Sequence, residues 1–359
     1  MELDTRTFAA AVLLLFVLHL LTFPSVHLIV DDYLYIDQAK EICAGNFTQW
    51  TESEARGHGP LYPAVLCATS SFHGFDVYNA QLVSFVFLLL SIGVWAYLLK
   101  GFENIDIKKF SLLFFANSLW WVYSFRTLMD STIGFFLSVG LLAGFLYFEK
   151  KKNLYFMLSA VCTALALFVK EGAVIFAPVL LVYLLYKKSR DIKDYLLVAL
   201  PFVPFFLYQC LTGFHDVNAF LVGAKATTTQ SFEYIPYGNL PTLAFLAGIL
   251  GLGLLSCIVM WKSMKEEKRA LFKDFLLFSL VLVVLNELLY DFVTAVNLPW
   301  YHMMLIPFLA LIISESSKRS KWLRYLFYMT LAWSIITGFS AAYYFHTNDI
   351  AIWKMLGVW

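Results

Sequence analysis

The sequence predicts an all-α, polytopic integral membrane protein of about eleven transmembrane helices. Three observations carry this. Hydrophobic residues make up 60% of the 359 positions. Charged residues make up only 14%, against about 25% in an average soluble domain. Apolar runs of about 20 residues, enough to cross roughly 30 Å of hydrocarbon, recur from end to end. No soluble domain of ordinary composition lies between them. The chain is expected to form one transmembrane unit over 1–359, with long outer loops at 30–80 and 212–240.

The apolar runs predict helices over 8–29, 81–99, 110–125, 131–148, 154–169, 172–186, 195–211, 241–261, 274–291, 301–314 and 325–345. The first has no convincing small-residue cleavage site and is expected to remain as a helix rather than be removed as a signal peptide. After it, residues 33–44 predict a short amphipathic helix in the membrane interface. Tyr35, Ile36, Ala39, Ile42 and Cys43 form its apolar stripe, while Asp37, Lys40 and Glu41 lie elsewhere. Lys170 and Glu171 leave only a tight hairpin between the fifth and sixth helices.

Lysine and arginine then set the orientation. Twenty of the 26 fall in one set of connections: around Arg6, at 100–109, 150–152, 187–193, 262–273 and 318–324. Six fall in the other: Lys40, Arg56, Arg126, Lys170, Lys225 and Lys354. The bias predicts a cytoplasmic N-terminus and an extracytoplasmic face holding both long loops. That fits the plasma membrane of a prokaryote or the endoplasmic reticulum of a eukaryote.

The net charge of +1 excludes a global field that would attract nucleic acid. The five cysteines (43, 67, 162, 210, 257) show no CxxC spacing. Four lie in or beside apolar runs, where cysteine behaves as a small hydrophobe, so zinc and redox roles find little support. No GxxxxGK[ST] loop is present. Chemistry on the outer face therefore needs a substrate that arrives already activated, for example on a lipid.

The anomalous charges cluster on that outer face. Asp31 and Asp32 in "LIVDDYLYIDQAKEI" follow the first helix; one carboxylate suffices as a helix cap, and two adjacent ones repel. Membrane-edge carboxylates are functional candidates by default. In "SFRTLMDSTIGFF", Arg126 and Asp130 are four apart, consistent with an exposed ion pair or with a site. In "ALFVKEGAVIF", Lys170 and Glu171 provide hairpin polarity or a cation for a lipid phosphate. "RGHGPLYPAVL" sets Arg56 and His58 in a Pro- and Gly-built turn able to bind phosphate or move a proton. Late in the chain, Glu287 and Asp291 approach the outer face, and His302 opens the tenth helix beside Trp300 and Tyr301. "SLWWVYSF" is a decoy for the WWD motif of oligosaccharyltransferases, since it lacks the Asp and lies in a span. "NFT" at Asn46 is a glycosylation sequon only in a secretory-pathway host.

The order of these segments resembles the GT-C superfamily of glycosyltransferases that use polyprenyl-phosphate sugars. It is most similar to the branch of protein O-mannosyltransferases and lipid A aminoarabinose transferases. "DDYLYIDQAKEI" resembles the family's first-loop DE-x-x-Y-x-x-x-A motif, with Asp31 leading and Asp32 at the second acid. "HGPLYP" resembles the H/K-x-PLY turn. "SFRTLMDSTIGFFL" resembles the second acidic segment, with Asp130. "ALFVKEGAVIFAPVLLVYLL" resembles the family's Lys-to-Pro hairpin through Lys170 and Pro178. "YHMMLIPFLALI" resembles a late R-Y-x5-P element in which His302 replaces Arg-Tyr. The resemblance is good over the first half and looser after it. The pair is Asp-Asp rather than Asp-Glu, and the soluble extracytoplasmic domain of several relatives is not expected, which leaves acceptor choice open.

The resemblance implies a polyprenyl-phosphate (in a eukaryote, dolichyl-phosphate) sugar donor and a lipid, glycan or protein acceptor. It implies Asp31 as general base. Asp130 and Asp32 would orient the acceptor, the base or a cation. Lys170 and Arg126, with Arg56 or His58, would hold the leaving phosphate, with Glu171 and His302 beside them. No metal-ligand cluster is visible, so a divalent cation is optional. A transporter or flippase for a lipid-linked sugar or small solute is the competing class. It predicts polar residues at mid-membrane and repeated halves with broken helices, and the charges lie at one face instead.

Overall fold

The computed structural model describes residues 4–22, 30–46, 59–123, 129–212, 269–288 and 303–347. Within them the chain is helical: α1 Thr5–Thr22, α2 Val30–Cys43, α3 Leu61–His73, α4 Val77–Leu99, α5 Ile107–Phe115, α6 Ser118–Tyr123, α7 Asp130–Lys150, α8 Asn153–Val169, α9 Phe176–Lys187, α10 Ile192–Ala199, α11 Phe202–Thr212, α12 Ala270–Leu288, α13 Ile306–Ser316 and α14 Lys321–Thr347. No strand occurs among the described residues. Three helices (α1, α4 and α7) have both the length and the apolarity to cross a membrane unaided. Shorter apolar helices, including α3, α8 and α13, complete the bundle.

Every expected span overlaps a described helix except 241–261, which lies within 213–268, outside the described residues. Three expectations are corrected. The outer loop 30–80 holds α3 as well as the expected helix α2; the Pro60 expected to build a turn instead leads straight into α3. The span over 110–125 breaks at Ala116–Asn117, where the Asn117 side chain accepts from the Trp120 N–H and starts α6. The span over 195–211 breaks between α10 and α11 at Pro201, which has no N–H to continue a helix.

The α7–α8 hairpin organises the centre. α7 is almost wholly buried, and its Gly140 and Gly144 form a G-x-x-x-G seat for α8. A methyl group at Gly140 would lie 2.6 Å from Thr163 Cγ2, and one at Gly144 would lie 3.0 Å from Ser159 Oγ. The Ser159 hydroxyl donates to the Gly140 carbonyl at 2.8 Å. Close backbone approach thus fixes the register of two antiparallel helices. Lys151, in the left-handed conformation, closes the turn between them.

The basic connections gather at the turn end of this hairpin. Lys151 pairs with buried Asp194, and Lys187 with Glu149 and Asp274 at 2.8 and 2.9 Å. Buried Glu315 accepts from the Asp106 backbone N–H at 2.8 Å, from Arg269 at 3.1 Å and from Lys318 at 2.7 Å. It clasps the α4–α5 loop, the start of α12 and the end of α13. Replacing Glu315 with alanine is expected to lower stability by about 2–3 kcal/mol, since a part-buried N–H loses its acceptor and Arg269 and Lys318 keep only backbone carbonyls in place of a buried carboxylate. Thermal unfolding in detergent measures it.

Candidate active site

Two of the sequence-predicted residues meet at the opposite, open end of the hairpin. Asp130 is the first residue of α7 and Lys170 directly follows α8. The register set by Gly140 and Gly144 carries on to bring them face to face. Lys170 Nζ lies 3.8 Å from Asp130 Oδ1, with side chains 12% and 6% exposed. That separation gives strong attraction in a poorly solvated place and is too long for a direct hydrogen bond. Lys170 itself leaves the helix in an extended conformation (φ −157°, ψ 137°) before a 3-10 turn over Glu171–Ile175. The expected hairpin is therefore a tightened helical turn, and the backbone break aims Lys170 back toward α7.

The HGPLYP segment reaches the same place. The Gly59 N–H donates to the Val169 carbonyl at 3.0 Å. A methyl group at Gly59 would lie 1.9 Å from the Phe168 carbonyl oxygen, so only glycine allows this approach. Gly59→Ala is expected to push the segment away from Lys170 and to destabilise by about 1–3 kcal/mol, as overpacking does; thermal unfolding reads it.

The late element arrives from the other side. Gly134, one turn beyond Asp130 on the same face, packs against Trp120 and Met303. The buried Trp120 indole donates to the Met303 carbonyl at 3.0 Å. Its neighbour Trp121 donates to Thr22 Oγ1 at 3.0 Å and stacks on His19 at 3.9 Å. The tryptophan pair is thus a strut that ties α1 and the Met303 segment to α6.

α2 completes the picture. Tyr35 meets the ring of Tyr62 edge-on at 5.6 Å, and Cys43 is bonded to Cys67 by a disulfide. α2 and α3 therefore lie side by side and run in the same direction. The backbone of Asp31 and Asp32, in the first turn of α2, lies toward the end of α3 that begins at Gly59 and Pro60. Asp31 and Asp32 are the second and third residues of α2, where negative charge suits the helix dipole. The side chains of Asp31, Asp32, Glu171 and Glu287 lie outside the described residues, as do Arg56, His58, Arg126, Asp291, Trp300, Tyr301 and His302.

Some residues were missed from sequence. The disulfide corrects the reading of Cys43 and Cys67 as plain hydrophobes. Their 24-residue separation carries no signal until α3 is known to exist. Gln38 is 4% exposed on the buried face of α2, and its amide finds no hydrogen-bond partner among the described residues. The same holds for the buried Thr132 hydroxyl in the first turn of α7.

No protein-family profile and no curated protein matches the chain. Solved structures do. ArnT from Cupriavidus metallidurans in the apo state aligns with a TM-score of 0.66 at 15% identity, over 97% of this chain and 77% of that one. The same protein bound to undecaprenyl phosphate aligns with a TM-score of 0.64 at 14% identity, over 99% and 78%. The likeness is one of fold: this is an all-α membrane protein whose helical architecture is similar to that of ArnT.

Proposed function

We propose that this chain is a membrane glycosyltransferase. It moves a sugar from a polyprenyl-phosphate donor to an acceptor hydroxyl on the extracytoplasmic side, with inversion. The observation that carries the reading is the Lys170–Asp130 pair, buried at the end of the bundle opposite the ion-paired basic loops. The Gly59 and Met303 backbones belong to the same end. A buried ion pair is poor value for stability alone, because desolvation offsets much of its attraction. A cation at a membrane edge is well suited to a lipid phosphate. The fold shared with a protein solved with undecaprenyl phosphate bound supports that ligand class.

Asp31 accepts the acceptor's hydroxyl proton as its oxygen attacks the anomeric carbon. The bond from that carbon to the phosphate oxygen breaks, and its electron pair leaves on the polyprenyl phosphate. Lys170 and Arg126, with Arg56 or His58, stabilise the charge that develops there. Asp130 holds Lys170 in place and, with Asp32, orients the acceptor, the base or a divalent cation. Glu171 and His302 flank the donor. One displacement inverts the anomeric centre.

The experiment is to incubate the purified protein with polyprenyl-phosphate sugars and an acceptor-containing membrane extract. Mass spectrometry follows release of polyprenyl phosphate. Release that depends on both protein and acceptor supports the reading. A protein that neither binds polyprenyl phosphate nor releases it from any such donor would overturn it.

A further inference from the structure

The Cys43–Cys67 disulfide has no part in that chemistry, and its position gives it another. α2 is a 14-residue helix. Isolated helices of that length are marginal in water, so its attachments decide whether it stays in place. Those attachments are mainly apolar packing against α3. Tyr35, Ile36, Ala39 and Ile42 are buried, and the amide of buried Gln38 finds no hydrogen-bond partner among the described residues. The Asp37–Lys40 pair is exposed and lies within α2 itself, so it fastens nothing to α3. The covalent bond at Cys43, the last residue of α2, is the firmest link between this helix and α3. α3 in turn is anchored by Gly59 beside Lys170.

We infer that the Cys43–Cys67 disulfide is an extracytoplasmic clamp that holds the helix bearing Asp31 and Asp32 against the active site, and that both cysteines are positioning residues for transfer. The positioning half rests on the reading of Asp31 as base; the bond and its side of the membrane do not. Disulfides persist in oxidising compartments and are rare in the cytosol. The bond therefore supports an outward α2–α3 pair independently of the lysine and arginine distribution. It forms by exchange with an oxidised dithiol protein of that compartment. The two thiols give up two electrons and two protons, and the partner leaves as its dithiol.

Two measurements test it. In intact cells, a membrane-impermeant maleimide is applied before or after a charged phosphine, which takes oxygen from water as it reduces the bond to two thiols. Peptide mapping then separates Cys43 and Cys67 from Cys210, which is exposed and free. The two are expected to be linked and unlabelled at first, and both labelled after the phosphine. Free thiols without reductant, or labelling only after the membrane is permeabilised, would overturn the clamp whatever the enzyme does.

For the purified protein, reduction is expected to lower kcat on the order of a hundredfold, as displacement of a base by about 1 Å can, while donor KM holds. Reoxidation restores it. The Cys43→Ser/Cys67→Ser double variant should show the reduced rate and ignore reductant. Full kcat in the reduced protein overturns the positioning role. Absence of any transfer before reduction counts against the proposed function instead, and the labelling result stands apart from it.

Discussion

Lys170→Met is expected to remove polyprenyl-phosphate binding and to lower kcat/KM by about 10²–10³-fold, the loss typical of one preorganised group facing a developing negative charge. Methionine keeps most of the side chain's length and apolar contact, so the change removes charge with little change in volume. It also leaves Asp130 buried without the cation 3.8 Å away. Removing one member of a buried pair costs about 3–5 kcal/mol, so the single variant is expected to unfold at a lower temperature. Lys170→Met/Asp130→Asn removes both charges and is expected to recover most of that stability without recovering transfer. Binding is measured by titration with undecaprenyl phosphate, stability by thermal unfolding. If the stable double variant binds the lipid phosphate as well as the parent, Lys170 is a structural ion-pair partner and nothing more.

Asp31→Asn has the other large expected effect. A general base contributes about 10²–10⁴-fold, so kcat should fall by that much. Donor binding should hold, because the phosphate is held from the α7–α8 end and Asp31 lies in α2. Asp32→Asn should lose less, as a residue that orients rather than accepts the proton. Asparagine cannot take a proton but keeps size and polarity, so misfolding is not the expected outcome. Unchanged kcat in Asp31→Asn, or a loss confined to donor KM, would move the base elsewhere. A larger loss in Asp32→Asn would exchange the two roles.

Much of this architecture was legible because the bilayer is an exacting solvent. Apolar runs long enough to span, and lysines and arginines concentrated in alternate connections, are direct physical consequences of crossing it. They fixed the helical class and the place of nearly every span described. Among the described residues the basic loops lie together at one end, where acidic partners neutralise them. The outer segments were also legible as candidates, because a carboxylate or lysine at a membrane edge is costly and rarely idle. Legibility failed where a local rule met a tertiary one. Pro60 reads as a turn former, yet a proline at the start of a helix is equally natural, and α3 was missed. Asn117 and Pro201 lie inside runs apolar enough to read as unbroken.

What the sequence by itself determined is an all-α membrane chain, since composition and the length of apolar runs answer directly to the lipid. What only the tertiary structure decided is which of its acids and cations are partners. Asp130 and Lys170 are 40 positions apart and belong to different motifs. They meet because Gly140 and Gly144 let α8 approach α7 closely enough to set the hairpin's register, and Lys170 turns back where α8 ends. The same holds for Cys43 and Cys67, which become partners only once α3 exists and lies beside α2. Spacing along a chain places a residue on a face; backbone contact between helices decides what that residue touches.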